Sequence, residues 1–236
     1  MTLAIDPSTP AQTGTTSNVS SITSASFTPP FNSGILVVGM NDVATSDAIS
    51  VSDSFGLTWS TLVPSIFLGN QATLAAFWAN CPTSQAMTTK VSFATISSGV
   101  IFTVVFTGAA TIQNGVTGTH TSAGVAGTIT LTGTAPGSFV IGGFAIHSST
   151  APTIPGGQTN VFNGNTFSFD ETSEGSTFAL ITTTTATTGG SVTINDTAPA
   201  VSNTGIIAVE IRVPSAILPS QMLGMITGIK MQSQRR

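Results

Sequence analysis

Before Pro219 the chain nowhere sustains an amphipathic helical period; it reads as short extended runs divided by Gly, Pro, Asn and Asp. Such a pattern restricts the fold to sheets. Ile129 and Leu131 alternate with Thr128, Thr130 and Thr132, as a strand with one buried face requires. Val209, Ile211 and Val213 alternate in the same way with Ala208, Glu210 and Arg212, which predicts a charge pair on a wet face. Residues 100–106 are almost continuously apolar, the pattern of a central strand covered on both faces. Thirteen strands are expected, over residues 19–27, 35–41, 49–52, 58–62, 73–80, 88–95, 100–107, 128–132, 138–147, 159–169, 177–185, 191–195 and 205–213. Their spacing fits an all-β fold, an antiparallel jelly-roll-like β-sandwich over residues 19–213. Two tandem immunoglobulin-like domains, dividing near residues 108–118, are the alternative. Residues 1–18, with Pro7 and Pro10 and no apolar period, read as an N-terminal arm.

The side chains that fill these strands are unusually neutral. Charged residues make up 6% of the chain, against roughly 25% in an ordinary domain. Threonine takes their place, with 41 copies among 236 residues. Its branched Cβ favours extended backbone, and its hydroxyl keeps an outward face wet without charge. Disordered chains are also rich in Ser, Thr and Gly, but they are poor in apolar residues. Here 40% of residues are hydrophobic, fourteen are Phe, and mean hydropathy is +0.39. A packed protein is expected.

Charge placement narrows the partners. Residues 1–219 hold all nine acids against Lys90 and Arg212, a net −7, whereas residues 220–236 carry Lys230, Arg235 and Arg236 and no acid. An acidic body argues against nucleic-acid binding, which needs a basic surface to displace counterions. No basic and apolar leader opens the chain, and every apolar stretch before Pro219, residues 35–40 among them, is far short of the ~20 residues that span a bilayer. The expectation is a soluble protein made in a cytoplasm, with no membrane partner. Cys81 is the single cysteine, so no disulfide forms within the chain and a buried, inert thiol is expected.

Little points to catalysis. His120 and His147 are the only histidines, and neither has a metal-binding or nucleophile-activating spacing. The acids fall into two loose groups, Asp42, Asp47 and Asp53, and Asp170, Glu171 and Glu174. Either group offers oxygen ligands for a hard cation, but turn residues of this kind more commonly bond the local backbone. No cofactor and no enzymatic activity are expected. Trp59 and Trp78 sit in apolar strand patterns and read as core, and there is no tyrosine. That shortage of aromatic platforms counts against a sugar-binding module, which stays as the alternative function.

After Pro219 the texture changes. Ser220 is placed to cap a short helix carrying Met222, Leu223, Met225, Ile226, Ile229 and Met231, weakened by Gly224 and Gly228. Methionine-rich surfaces adapt to irregular partners. Residues 214–236 are therefore read as a docking segment, in which Lys230, Arg235 and Arg236 add attraction to an acidic surface; folding back onto the chain's own sandwich is the plainer alternative.

Three stretches together resemble a known group: Phe27-Thr-Pro-Pro-Phe-Asn-Ser-Gly-Ile-Leu-Val-Val, Val51-Ser-Asp-Ser-Phe-Gly-Leu-Thr-Trp59 and Ala76-Phe-Trp-Ala79, closed by Gly205-Ile-Ile-Ala-Val-Glu-Ile. The chain looks like a β-sandwich module of tailed-bacteriophage structural proteins, found in minor tail and capsid decoration proteins and, in similar form, in bacterial surface proteins. The resemblance touches about 40% of the chain and carries no catalytic residues. It implies a virion structural protein, foremost a capsid-surface decoration or stabilising protein, then a tail or fibre component. Partners would be other virion proteins. Because open antiparallel sheets leave edges that invite pairing, a homo-oligomer such as a trimer is also expected.

Overall fold

In the computed structural model of the chain the described residues are 2–43, 45–68, 72–109, 114–120, 127–146, 153–161, 167–169, 176–195, 197 and 204–214. Their regular structure is entirely β. The first half supplies β1 (Ala4–Ile5), β2 (Thr13–Thr23), β3 (Ser33–Asp42), β4 (Ile49–Asp53), β5 (Trp59–Leu68), β6 (Ala72–Cys81) and β7 (Thr89–Thr107). The second supplies β8 (Asn114–His120), β9 (Thr128–Thr134), β10 (Phe139–Ile146), β11 (Gln158–Asn160), β12 (Phe167–Phe169), β13 (Ser176–Thr183), β14 (Gly190–Asn195) and β15 (Thr204–Ile211). The antiparallel β-sandwich architecture expected from the alternation is what forms.

The strands make three sheets. The first runs β1-β7-β3-β6-β5, with β2 and β4 also paired to β7. The second runs β11-β13-β10-β15-β8, with β12 beside β13, and β14 and β9 form the third. Strand β7 is the spine of the first half. Its residues 89–93 lie between β4 and the end of β2, and its residues 98–106 lie along β3. The stretch expected to be an arm is laid along the other edge of β7, with Ile5 opposite Phe106 and Thr13 opposite Ile101. Asp6 N–H also donates to the Val105 carbonyl and Val105 N–H donates to Thr9 Oγ1. The backbone groups of that edge find partners this way without an apolar period in the arm.

Alternation sends each strand's side chains into different cores. From β3, Leu36, Val38 and Met40 enter a central cluster, while Ile35 and Val37 enter an outer one. From β7, Val100, Phe102, Val104 and Phe106 take the central side and Ile101 and Val105 the outer side. The continuous apolar run is thus covered on both faces. The outer cluster is closed by Ile22 of β2, Ile49 of β4, and Val91 and Phe93 at the start of β7, so the first sheet folds over itself. In the second half, Ile141, Phe178, Leu180, Ile207, Val209 and Ile211 face the central cluster, while Val140, Phe144, Ile181 and Ile206 face Ile129, Leu131 and Ile194 of the third sheet.

Each sheet draws on one half of the chain only, with 4–107 in the first and 114–211 in the other two. The halves meet face to face through the central cluster. Separating them would expose the fully buried residues of that seam, at roughly 1.5–3 kcal/mol for each large side chain. On β10 a Cβ on Gly143 would stand 2.9 Å from Met40 Cε of the first half, so the glycine leaves room for that methyl in the seam.

Candidate functional site

Asp47 and Asp53 of the first acidic group do not converge. Asp47, in the β3–β4 connection, is buried, and its Oδ1 accepts N–H bonds from Ala48 (2.8 Å) and Thr95 (2.9 Å). Asn41 Nδ2 donates to its Oδ2 and to Ser97 Oγ, and Asp47 N–H donates to Thr73 Oγ1. Asp47 therefore ties β3 and β7 together through its carboxylate and reaches β6 through its backbone N–H. Asp53 lies at the far end of β4, on the order of 20 Å along the strand at 3.3 Å per residue. That separation leaves the two carboxylates unable to share a cation, whose oxygen ligands sit at ~2.3–2.6 Å. Among the described residues no group of three His, Cys, Asp or Glu is placed to hold a metal.

Asp53 organises a turn instead. Its Oδ1 accepts from Phe55 N–H and Gly56 N–H, both at 2.7 Å, and its Oδ2 from Leu57 N–H (3.0 Å) and Trp59 Nε1 (2.7 Å). Gly56 sits at φ +84°, where the turn needs a left-handed residue. Trp59 is half-buried against the outer cluster, and Trp78 is 2% exposed in the central one.

Glu210 corrects the alternation reading. It is 0% exposed rather than on a wet face, because the loop from β9 to β10 folds across it. Its Oε1 accepts from Ala135 N–H and from Ser138 Oγ (2.9 Å), and its Oε2 lies 2.7 Å from Arg212 Nε. Arg212, with its side chain 34% exposed, keeps the pair in touch with water. Cys81 is fully buried and donates to the Thr83 carbonyl at 3.1 Å. Burial pushes its thiol pKa up from the ordinary 9.0, so the reactive thiolate is disfavoured.

His147, Asp170, Glu171, Glu174 and the docking residues Met222, Leu223, Met225, Ile226, Ile229, Lys230, Met231, Arg235 and Arg236 lie outside the described residues. His120 ends β8. No helix among the described residues is long and apolar enough to cross a membrane.

The feature that sequence reasoning missed is at one end of the first half. Ser33 pairs Cys81 and Trp59 pairs Ala79, so β3, β6 and β5 end side by side in one layer. In the other layer Phe27 bridges Met87, and Ser54 exchanges hydrogen bonds with Thr88. Three connections therefore cross between layers next to one another: residues 28–32, 82–86 and 54–58, with 82–86 in the middle. The flanking two present Phe31, 67% exposed, and Phe55, 37% exposed. Both lie beside turn residues, Pro-Pro before Phe31 and Gly after Phe55, and a large aromatic in a turn was the available signal. Comparisons with protein-family models, curated proteins and solved structures return no match.

Proposed function

We propose that this chain is a structural protein of a tailed-phage particle, foremost a capsid-surface decoration or stabilising protein, with a tail or fibre component as the next possibility. The observation that carries the reading is what the buried carboxylates do. Asp47 and Glu210, both buried, are taken up by backbone and side-chain donors that tie strands and loops together. Ionisable groups placed for chemistry keep a free oxygen toward a cleft. These serve the scaffold.

Scarcity of charge supports the same reading. A particle packs many copies side by side, and like charges repeated at every contact repel. Threonine-covered sheets remain wet while allowing close approach. The resemblance to phage structural modules points the same way.

Mass spectrometry and cryo-electron microscopy of purified particles test the proposal. The expected outcome is the chain at a fixed stoichiometry, with density for a three-layered β body on the particle surface. Its absence from the particle would overturn the proposal.

A further inference from the structure

We infer that the three crossover connections at residues 28–32, 54–58 and 82–86 form a binding face for a neutral glycan. The arrangement is aromatic, polar, aromatic. Phe31 stands on one flank and Phe55 on the other, both exposed. Between them, residues 82–86 are exposed throughout and offer the hydroxyls of Thr83 and Ser84 and the amide of Gln85. Asn32, held at φ +56° beside Phe31, adds a second exposed amide. Two strand spacings separate the flanking connections, about 10 Å at ~4.8 Å each. An oligosaccharide fits this span, stacking the C–H face of one sugar on each phenyl ring, whose π face is negative. The hydroxyls and amides both donate and accept, as sugar hydroxyls require.

The face does not suit the other partner classes. Asp53, the carboxylate at its edge, has both oxygens taken up by four donors, and the three connections contain no charged side chain, so a cationic ligand finds no free carboxylate oxygen and an anionic one no cation on them. Two phenyl rings divided by a polar loop also fall short of the contiguous apolar centre that a protein partner buries. Trp59 and Trp78, the aromatics a sugar site would first be sought in, are half-buried and buried. The exposed phenylalanines take that place. This inference stands apart from incorporation into a particle.

Affinity electrophoresis tests it, with the full chain run through gels containing dextran, mannan, galactan or arabinan, and through gels containing the anionic polymer alginate. Retardation by at least one neutral polymer is expected, weakened tenfold or more by Phe31→Ser and by Phe55→Ser, with both variants still folded by thermal unfolding. Should either variant fail to fold, the Ser84→Ala/Gln85→Ala double variant replaces it and must weaken retardation as well. No retardation by any neutral polymer, retardation by alginate alone, or retardation indifferent to all these substitutions would overturn the inference. So would self-association of the wild type that the phenylalanine variants abolish, since the face would then join two copies.

Discussion

The six-membered ring of Trp78 occupies the space above Gly34: a Cβ on Gly34 would stand 2.1 Å from both Trp78 Cη2 and Cζ2. Gly34 lies on β3 between β6 and β7, opposite Asn80 and Phe106, and Trp78 also contacts the Phe106 ring with centroids 6.1 Å apart. The indole fills the end of the central cluster because the strand beneath it has no side chain there.

Gly34→Ala is therefore expected to destabilise the protein by about 2 kcal/mol or more, as overpacking of a filled core does. That corresponds to a fall in Tm of roughly 4–8 °C at this chain length. In a double-mutant cycle, Trp78→Leu should remove most of the additional cost of the alanine. Thermal unfolding of the four proteins measures it, and strictly additive effects would show that the alanine is accommodated elsewhere.

The Asp53 turn gives a second expectation. Asp53→Ala strips the acceptor from Phe55, Gly56 and Leu57 N–H and from the Trp59 indole. Bonds to a charged acceptor are worth more than neutral ones, and those that water replaces cost less to lose. A net loss of about 2 kcal/mol in urea unfolding is expected, together with a red shift of Trp59 emission as its indole gains solvent. Asp53→Asn, which keeps one oxygen acceptor, should lose less. Equal losses for the two variants would mean that the carboxylate's charge and second oxygen contribute nothing.

How far the sequence discloses this structure depends on whether a residue's partner is local. The run at 100–106 reads correctly as a strand covered on both faces, since apolar side chains on both sides of a strand need two cores. The Asp-Ser-Phe-Gly turn is legible because Asp53 bonds residues two to four positions ahead. Glu210 misleads because the loop that buries it, around Ala135 and Ser138, comes from more than 70 residues away. Alternation says that a strand has two faces and leaves open which layer covers each. For the same reason the partition of the strands into three sheets, each confined to one half, was not readable. Nor was the face carrying Phe31 and Phe55, since its making depends on three connections crossing side by side.

Cys81 sets a pH-dependent expectation. Burial raises the folded thiol pKa above its ordinary value of 9.0, so the unfolded chain releases the proton first as pH rises. The thiol's contribution to stability is complete below pH 9 and is lost as pH climbs from there through the folded value. Cys81→Ala should thus flatten the alkaline side of the stability profile. Iodoacetamide at pH 8 should label native protein at least about tenfold more slowly than urea-unfolded protein, since the thiolate is the nucleophile. Equal labelling rates would place the thiol within reach of solvent.

Truncation after Pro219 tests the docking role expected of the segment 214–236, of which it removes the last seventeen residues. Among the described residues the three cores are built between Leu3 and Val213, with Val213 packed on the central cluster. A segment that serves docking leaves the stability of that body to the body itself, so on this reading Tm should stay within about 2 °C, a change of under roughly 1 kcal/mol at this chain length. What is removed is six large apolar side chains between Met222 and Met231 together with Lys230, Arg235 and Arg236. Apolar area supplies most of the free energy of such a contact, and the cations add attraction that salt screens. The truncated protein is expected to remain folded and to be missing from purified particles, while Lys230→Gln/Arg235→Gln/Arg236→Gln should weaken incorporation chiefly at low salt. Unfolding on truncation would assign the segment to the body's own core. Normal incorporation would move the anchor elsewhere on the chain.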